Sequence, residues 1–319
     1  MADEFDIIHR YFAPLTRGDT AAFGLTDDAA AIPTRTGYEH VVTTDAIVQG
    51  VHFLENETPE NIAHRLCGSN LSDLAAMGAK PIGFTLAAAW QKGIGQGFIE
   101  AFATGLGEWV DGFSFPLLGG DTVTTPGPMM FSLTAIGEVE AGMALKRGGA
   151  KPGDTVYVSG TIGDGALGLL AAQGKLDDLP DTDSEFLKRR FRRPSPRVST
   201  GRSLVGLASA CIDISDGLIQ DLGHIAAASG VSVRITADRI PLSRAARAAL
   251  DIDPSSIETI LTGGDDYELA FTSSEEPDVG DAPLTAIGEV TDGADVRVTG
   301  SDGKVMQLRS GGFNHFAGT

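Results

Sequence analysis

The sequence of 319 residues is poor in cysteine, in positive charge and in long apolar segments. Its two cysteines, Cys67 and Cys211, lie in apolar segments outside any Cys-x-x-Cys pair, which predicts buried structural thiols in a reducing cytoplasm. Basic residues number 24 against 43 acidic ones, and the net charge of −19 argues against nucleic acid or an anionic membrane as the partner. No apolar run reaches the roughly 18 residues that span a bilayer, and no signal peptide opens the chain, so we expect a soluble cytoplasmic protein.

The phosphate-binding sequences of the large kinase classes are also missing. There is no G-x-x-x-x-G-K-[ST] loop and no His-Arg-Asp or Asp-Phe-Gly element, which excludes a P-loop kinase and argues against a protein kinase. Gly163–Gly168 does fit the G-x-G-x-x-G of a dinucleotide-binding turn. However, residues 177–193, which we interpret as a charged loop and helix, stand where the second strand and its acidic residue belong. We therefore interpret Gly163–Gly168 as a tight turn from a strand to a helix.

Strands and helices alternate along both halves of the chain, which predicts an α/β (α+β) fold. Gly148–Asp154 is rich in glycine and contains proline, a composition typical of a domain boundary. Before it, apolar periodicity and turn residues predict helices near residues 5–12, 58–78 and 98–110, and strands at 40–53, 82–90, 115–118 and 129–138. The third of these strands is expected to end at Gly119–Asp121.

After the boundary, the pattern continues with shorter elements. The segment after residue 173 is interpreted as an acidic loop. The predicted helices lie at 165–173, 199–208, 216–229 and 244–250. The predicted strands lie at 155–159, 211–215, 231–236, 267–271, 284–290 and 295–299.

Seven aspartates interrupt apolar runs and have small or hydroxylated neighbours: Asp27, Asp28, Asp45, Asp73, Asp121, Asp213 and Asp216. A carboxylate without a counter-charge is costly in such surroundings, and few Lys or Arg residues lie nearby. Divalent cations would neutralise these groups, and ligands that are all oxygen favour Mg²⁺ or Ca²⁺. Because Mg²⁺ held by carboxylates completes its shell with water and phosphate oxygens, the sequence predicts an enzyme that acts on polyphosphates.

Three further segments carry candidate residues, and each has a structural alternative. Arg147, beside Gly148, is either a phosphate ligand or an exposed charge in a linker. Gly263–Glu268 sets two glycines before a carboxylate pair, and forms either a close backbone approach to a ligand or a turn with solvated acids. His52 follows the strand that carries Asp45, and is either a ligand contact or a structural histidine.

The order of these motifs resembles that of the thiamine-monophosphate kinase family over nearly the whole chain. The motifs that carry the resemblance are Asp27-Asp28, Thr43–Asp45, Gly50–Phe53, Asn70–Ala79, Gly119–Thr122, Arg147, Lys151–Asp154, Arg193–Arg197, Ile212–Leu218 and Gly263–Leu269. The superfamily also contains aminoimidazole ribonucleotide synthetase, selenophosphate synthetase and the hydrogenase-maturation carbamoyl dehydratase. The last two carry a reactive cysteine near the N-terminus or at the C-terminus, and this chain has neither. Aminoimidazole ribonucleotide synthetase is the nearest enzymatic alternative, but Asn70–Ala79 and the tail 313–316 resemble the kinase more than that enzyme.

The resemblance implies a two-domain, aminoimidazole ribonucleotide synthetase-like fold. An N-terminal domain, residues 1–143, would bind ATP and metal, and its sheet would form a barrel with its copy in a homodimer. Residues 144–319 would form a C-terminal α/β domain, with ATP and several Mg²⁺ ions in the cleft between the two. The implied reaction is direct in-line transfer of a phosphoryl group from ATP to thiamine monophosphate, which gives thiamine diphosphate.

The resemblance also implies a role for each matching residue. Metal ligands would be Asp28, Thr43, Thr44, Asp45, Asp73, Asp121, Asp213 and Asp216. ATP would contact Gly120, Asp121, Arg147 and Ser215, and thiamine monophosphate would contact His52, Asp265 and Phe313. The catalytic residues would be Asp45, Asp121 and Arg147. Two positions depart from the family pattern, since Thr26 replaces a glycine and Asp265 replaces a glutamate that is one methylene longer.

Two functions of other classes are compatible with the same aspartates. One is a Mg²⁺-dependent phosphohydrolase, in which water takes the place of the acceptor. The other is a non-catalytic protein that binds Ca²⁺ or a nucleotide. The spread of the motifs over two domains, instead of one contiguous D-x-D loop, counts against the second. Phe313 also has an alternative role, as a core aromatic residue that anchors the C-terminus.

Overall fold

The computed structural model describes residues 4–279, 283–300, 302–308 and 311–313. The chain divides into two compact units. The first comprises Met1–Leu74 and Ala79–Gly142, and the second comprises Ala75–Gly78 and Met143–Thr319. In the described part of the chain, no helix has both the length and the apolar character that crossing a membrane requires.

The first unit contains a four-stranded sheet in the order β1-β4-β2-β3. Its strands are β1 (Tyr38–Val48), β2 (Lys80–Gln91), β3 (Leu117–Thr125) and β4 (Met130–Glu140). β4 pairs antiparallel with β1 and β2, whereas β2 and β3 are parallel. The helices are α1 (Glu4–Ile7), which continues as a π-helical turn at Ile8–Phe12, then α2 (Pro59–Ala76) and α3 (Gln96–Phe113), with 3₁₀ turns at Ala13–Thr16 and Thr20–Leu25.

Local sequence explains where α2 begins and which face it buries. Pro59 occupies the first helical position, and the hydroxyl of Thr58 accepts a hydrogen bond from the Asn61 N–H at 3.4 Å. Leu66 and Leu74 are fully inaccessible to solvent on the apolar face. The predicted helix is therefore confirmed, and it presents the segment Asn70–Asp73 beside β1.

The end of β3 differs from the prediction. Gly119, Gly120 and Asp121 lie inside the strand, which continues to Thr125. Gly120 pairs with Leu86 of β2, and a Cβ atom at Gly120 would lie 2.1 Å from the Leu86 carbonyl oxygen. The two glycines therefore do not end the strand, and Gly120 allows β2 and β3 to approach closely.

The second unit contains a six-stranded sheet in the order β10-β7-β9-β5-β8-β6. Only β10 and β7 are parallel among its described pairs. Its strands are β5 (Thr155–Ser159), β6 (Ala210–Asp213), β7 (Ser232–Thr236), β8 (Leu269–Ser273), β9 (Leu284–Thr291) and β10 (Val296–Thr299). Its helices are α4 (Asp164–Ala172), α5 (Asp181–Arg192), α6 (Val198–Ser203), α7 (Leu218–Ser229), α8 (Arg244–Ile252) and α9 (Ser256–Thr262).

One helix of this unit was not expected, and one is shorter than expected. α5 lies within residues 177–193, where a charged loop and helix were expected; it buries Leu187 and Phe191, with acidic residues in its first turn and arginines in its last, as the helix dipole favours. α9, a helix of seven residues, was not expected, and α6 ends at Ser203 instead of residue 208. Cys67 and Cys211 are buried free thiols, as predicted.

The turn at Gly163–Gly168 joins β5 to α4, which confirms its interpretation as a strand-to-helix turn. The N–H groups of Gly163 and Gly165 donate to the two carboxylate oxygens of Asp266, at 2.7 and 2.9 Å. A dinucleotide site would leave these N–H groups for a pyrophosphate. Here, a carboxylate of the protein itself occupies the start of the helix.

Candidate active site

The sequence-predicted site residues fall into three groups and one separate arginine. The β1 group contains Thr43, Thr44, Asp45, His52 and Asp73. The β3 group contains Asp28, Gly120 and Asp121. The α7 group, in the second unit, contains Asp213, Ser215, Asp216, Asp265 and Phe313. Arg147 lies apart from the last of these.

Helix α2 organises the β1 group. The Thr43 hydroxyl donates to Asp73 Oδ2 at 2.6 Å, and the Asp45 N–H donates to Asn70 Oδ1 at 3.1 Å. Asn70 is itself fully buried, and its amide donates to the Leu66 carbonyl at 2.8 Å. The Thr43 hydroxyl is thereby joined to the Asp73 carboxylate, and the buried Asn70 fixes the backbone of Asp45. Asn70 belongs to a motif that the sequence singled out, but no role had been assigned to it.

Thr44 and His52 take different positions in this group. The Thr44 hydroxyl is bonded to β4, at 3.0 Å from the Leu133 carbonyl and 2.7 Å from Thr134 Oγ1. His52 Nδ1 accepts a hydrogen bond from the Val48 N–H at 3.0 Å. Because Nδ1 is an acceptor, the neutral ring carries its proton on Nε2. His52 is thus fixed in a turn as a donor through Nε2, which suits an anionic ligand.

The β3 group lines a cavity of about 360 Å³. One part of its wall is apolar and includes Ile8 and Phe12, while the acidic pair Asp27-Asp28 and the segment Gly119–Thr122 supply the polar part. The Thr122 N–H donates to Asp121 Oδ1 at 2.9 Å and orients that carboxylate. Three carboxylates thus line one cavity that has an apolar end.

One chain does not bring the β1 and β3 groups together. In the sheet register, Asp45 pairs with Leu133, Leu133 with Leu86, and Leu86 with Gly120, the neighbour of Asp121. Three strand spacings separate the two edges, which amounts to roughly 14 Å along the sheet. Asp45 and Asp121 are therefore too far apart to share a cation within a single copy of this sheet.

The α7 group is built from two loops that hydrogen-bond to each other. The Asp265 N–H donates to the Ser215 carbonyl, and the Tyr267 N–H donates to the Ile214 carbonyl, both at 2.9 Å. Asp265 has a left-handed backbone with φ of 70°, and its carboxylate accepts a hydrogen bond from the Tyr267 hydroxyl at 3.2 Å. A conformation so unfavourable for a non-glycine residue persists only where its surroundings impose it.

Those surroundings include two buried carboxylates of the same segment. Glu268 is fully buried between Arg190, at 3.0 Å, and Arg197, whose Nε donates at 2.6 Å. Asp266 holds the start of α4, as described above. Asp266 and Glu268 are therefore structural anchors, and only Asp265 of these three acids is partly open to solvent. The alternative of a turn with solvated acids is wrong for Asp266 and Glu268.

Phe313 contradicts the alternative of a core aromatic anchor. The residue is 51% exposed, while its backbone N–H donates to the Asp216 carbonyl at 2.9 Å. The backbone thus holds the residue in place, and much of the ring faces solvent. An exposed, anchored aromatic ring suits stacking on a flat ligand.

The carboxylates of the α7 group fit a divalent cation. Ligand atoms of Asp216, Asp221 and His224 lie within 4.8 Å of one another. Burial raises the pKa of Asp221 to about 7, the charge of Asp216 adds to the rise, and N–H groups of residues 215–217 oppose it. Close carboxylates that repel one another are stabilised by a cation. The carboxylate oxygens of Asp216 and Asp221 are hard ligands of the kind that Mg²⁺ prefers. The carboxylates and hydroxyl of the β1 group, in the first unit, are separately ligands of the same kind.

Arg147 is exposed and lies beside the opposite end of α7. Its carbonyl oxygen accepts a 3.4 Å hydrogen bond from Ser229, the last residue of that helix, whereas Asp216 precedes the first. A helix of 12 residues is about 18 Å long. The second unit therefore does not place Arg147 next to Ser215.

Both parts of the chain match known protein families. Residues 26–139 match the AIR synthase related protein N-terminal domain, and residues 151–301 match its C-terminal domain. The thiamine-monophosphate kinase of Caulobacter vibrioides is 49% identical over 83% of this chain and 75% of its own length. That of Salmonella typhimurium is 40% identical over 98% of both chains.

Solved structures agree with the sequence relatives. The thiamine-monophosphate kinase of Stenotrophomonas maltophilia superposes with a TM-score of 0.82 at 39% identity, over 93% of this chain and 98% of that one. A protein described as AaThiL complexed with AMPPCP and TMP gives a TM-score of 0.80 at 30% identity, over 98% of this chain and 97% of that one. Both similarities extend over the two units.

Proposed function

Because the chain belongs to the thiamine-monophosphate kinase family, we propose that the three groups described above carry out the reaction of that family. The reaction transfers the terminal phosphoryl group of ATP to thiamine monophosphate and gives ADP and thiamine diphosphate. The observation that carries this proposal is the relative with bound AMPPCP and TMP, which matches both units at 30% identity. ATP is a cytoplasmic nucleotide, and we propose the cytoplasm as the place of action.

The acceptor explains why no general base is needed. The attacking atom is a phosphate oxygen that is already anionic near neutral pH, so the difficulty is repulsion between two anions. We propose that Asp28, Asp45, Asp73, Asp121, Asp213 and Asp216, with Thr43 and Thr44, hold several Mg²⁺ ions. Mg²⁺ would screen the reacting phosphates and stabilise charge on the transferred group. The residues themselves align donor and acceptor for a single in-line displacement.

ATP is proposed to bind at the β3 group. Gly120 and Asp121 both line the cavity, and Asp121 supplies a carboxylate on its wall. Arg147 would add an exposed guanidinium for a phosphate oxygen, and Ser215 would add a hydroxyl from the α7 group. The match of these residues to the family's motifs supports these roles.

Thiamine monophosphate is proposed to bind through three contacts. The His52 Nε2–H would donate to its phosphate, since Nδ1 is engaged by Val48. The exposed ring of Phe313 would stack on a thiamine ring. Asp265 would accept a hydrogen bond from the aminopyrimidine. Its side chain is shorter than the usual glutamate, and the Tyr267 hydroxyl already holds one of its oxygens.

A homodimer would complete the site. β1 and β3 are the two edge strands of the first sheet, and unpaired edges favour pairing with another chain. Val42, Val123 and Met130 are exposed on these strands and on β4, by 61%, 49% and 43%. We propose an eight-stranded barrel of two sheets, in which a two-fold axis sets β3 of each copy beside β1 of the other. Asp45 and Asp121 would then meet across the interface.

Acceptor dependence tests the function. ADP formation from ATP is expected to require thiamine monophosphate, and thiamine diphosphate should appear in equal amount. Without the acceptor, neither phosphate release nor ATP–ADP exchange should exceed a trace. Phosphate release at the full rate without acceptor would instead identify a phosphohydrolase, and ATP–ADP exchange would contradict direct transfer.

Replacing Phe313 by alanine is expected to raise the KM for thiamine monophosphate about two- to tenfold, because stacking contributes about 0.5–1.5 kcal/mol beyond buried area. The KM for ATP and the melting temperature should stay close to wild type, since the ring is half exposed. Steady-state kinetics with each substrate varied in turn measure the effect. Phe5→Ala removes another exposed ring (69%) as a control. Equal rises in both KM values would refute the stacking role.

A further inference from the structure

Gln220, in the first turn of α7, links two parts of the α7 group that sequence motifs treat separately. Its side-chain Nε2 donates to Asp216 Oδ2 at 2.9 Å and to the Phe313 carbonyl oxygen at 3.0 Å. An amide nitrogen has two hydrogens, one for each of these acceptors. If the amide were rotated by 180°, its oxygen would face two other acceptor oxygens, which is unfavourable. The two partners therefore determine the orientation of the amide.

The segment Gly311–Phe313 makes its other close contacts at the same place. The Phe313 N–H donates to the Asp216 carbonyl at 2.9 Å. A Cβ atom at Gly312 would lie 2.5 Å from Gln220 Cβ and 2.8 Å from the Asp216 carbonyl oxygen. Only glycine allows so close an approach, which brings the Phe313 carbonyl within reach of the Gln220 amide. The backbone of Phe313 is thus held by hydrogen bonds to Asp216 and Gln220.

We propose that Gln220 is a positioning residue that couples the carboxylate of Asp216 to the aromatic ring of Phe313. The inference rests on the proposed function, in which Asp216 holds a cation and Phe313 contacts the thiamine moiety. By fixing both partners in the free protein, Gln220 reduces the ordering that each ligand would otherwise require. Occupancy of Asp216 and occupancy of the ring site therefore favour each other, and the coupling is reciprocal.

Gln220→Met keeps the length of the side chain and removes both hydrogen bonds. We expect the KM for thiamine monophosphate to rise about two- to tenfold, by no more than in Phe313→Ala, since both hydrogen bonds that position the ring are lost. The KM for ATP should change less than twofold. Titration calorimetry with thiamine monophosphate, without ATP, should show the same loss in Kd. The tightening of this Kd by added MgCl₂ should also be smaller than in the wild-type protein.

A double-mutant cycle separates positioning from a general structural effect. If Gln220 acts through the ring, adding Gln220→Met to Phe313→Ala should leave the KM for thiamine monophosphate unchanged, because no ring is left to position. Gln173→Met changes an exposed glutamine at the end of α4 and should behave as wild type.

The outcomes are distinct. Multiplicative effects in the double variant, or an unchanged KM in Gln220→Met, would overturn the proposal. Equal rises in both KM values with a lower melting temperature would likewise show a structural role only. Wild-type protein that neither binds thiamine monophosphate nor turns over ATP in its presence would refute the proposed function itself, which is a separate result.

Discussion

Replacing Asp73 by asparagine is expected to lower turnover by about a thousandfold, the scale seen when one preorganised charge-stabilising group is lost. The change removes a negative charge that we propose as a ligand of Mg²⁺. The amide oxygen of asparagine can still accept the hydrogen bond that the Thr43 hydroxyl gives to Asp73 Oδ2 at 2.6 Å. The fold should therefore be retained, with a melting temperature within a few degrees of wild type.

Activity measured across Mg²⁺ concentrations, beside a melting curve, checks this result. Asp178→Asn changes an exposed acid of the second unit by the same single charge and should keep full activity. If Asp73→Asn retained wild-type activity, or if the wild-type enzyme worked in excess chelator, the metal cluster would be disproved. A large fall in melting temperature would instead assign Asp73 a role in holding β1 against α2.

A mixed dimer of two inactive variants, Asp45→Asn and Asp121→Asn, is expected to recover about half of the wild-type activity. Each variant alone should be inactive, because both copies of the site then lack one carboxylate. In the mixed dimer, the Asp121→Asn chain supplies an intact Asp45 and its partner supplies an intact Asp121, so one of the two sites is complete. The expectation follows from the positions of Asp45 and Asp121 on opposite edge strands.

Co-expression of the two chains with different affinity tags, followed by purification on both, isolates the mixed dimer for assay. The matched control pairs Asp45→Asn with Asp73→Asn. These residues belong to the same β1 group, so neither site of that dimer is complete and it should stay inactive. Recovery in the control, or none in the test pair, would contradict a site shared between copies. Elution as a monomer in gel filtration would remove the basis of the barrel.

Sequence patterns were sufficient wherever the signal is local. The Thr58-Pro59 pair determines the start of α2 through its own backbone and side-chain chemistry, and the structure has the helix there. The ordered motifs identified the family because each one records a chemical requirement at a fixed place in the chain. The apolar segments around Cys67 and Cys211 likewise predicted that both thiols are buried. α9 was missed because its seven residues are too few to show a helical period.

Other features depend on which segments pair in the folded chain. Local sequence predicts both Asp45 and Asp121 as metal ligands. The strand order β1-β4-β2-β3 places them on opposite edges of the first sheet. From the sequence alone, Gly120 predicts the end of a strand. In the fold it lies inside β3, where it allows the close approach to Leu86.

Asp266 and Glu268 adjoin Asp265 in sequence, but only tertiary contacts show that they are buried anchors. Gln220 lies four residues from Asp216, but its second partner, Phe313, is 93 residues away in the sequence. The sequence therefore determined the chemistry of this protein and the order of its parts. Long-range pairing, which no local pattern encodes, decided which of those parts meet.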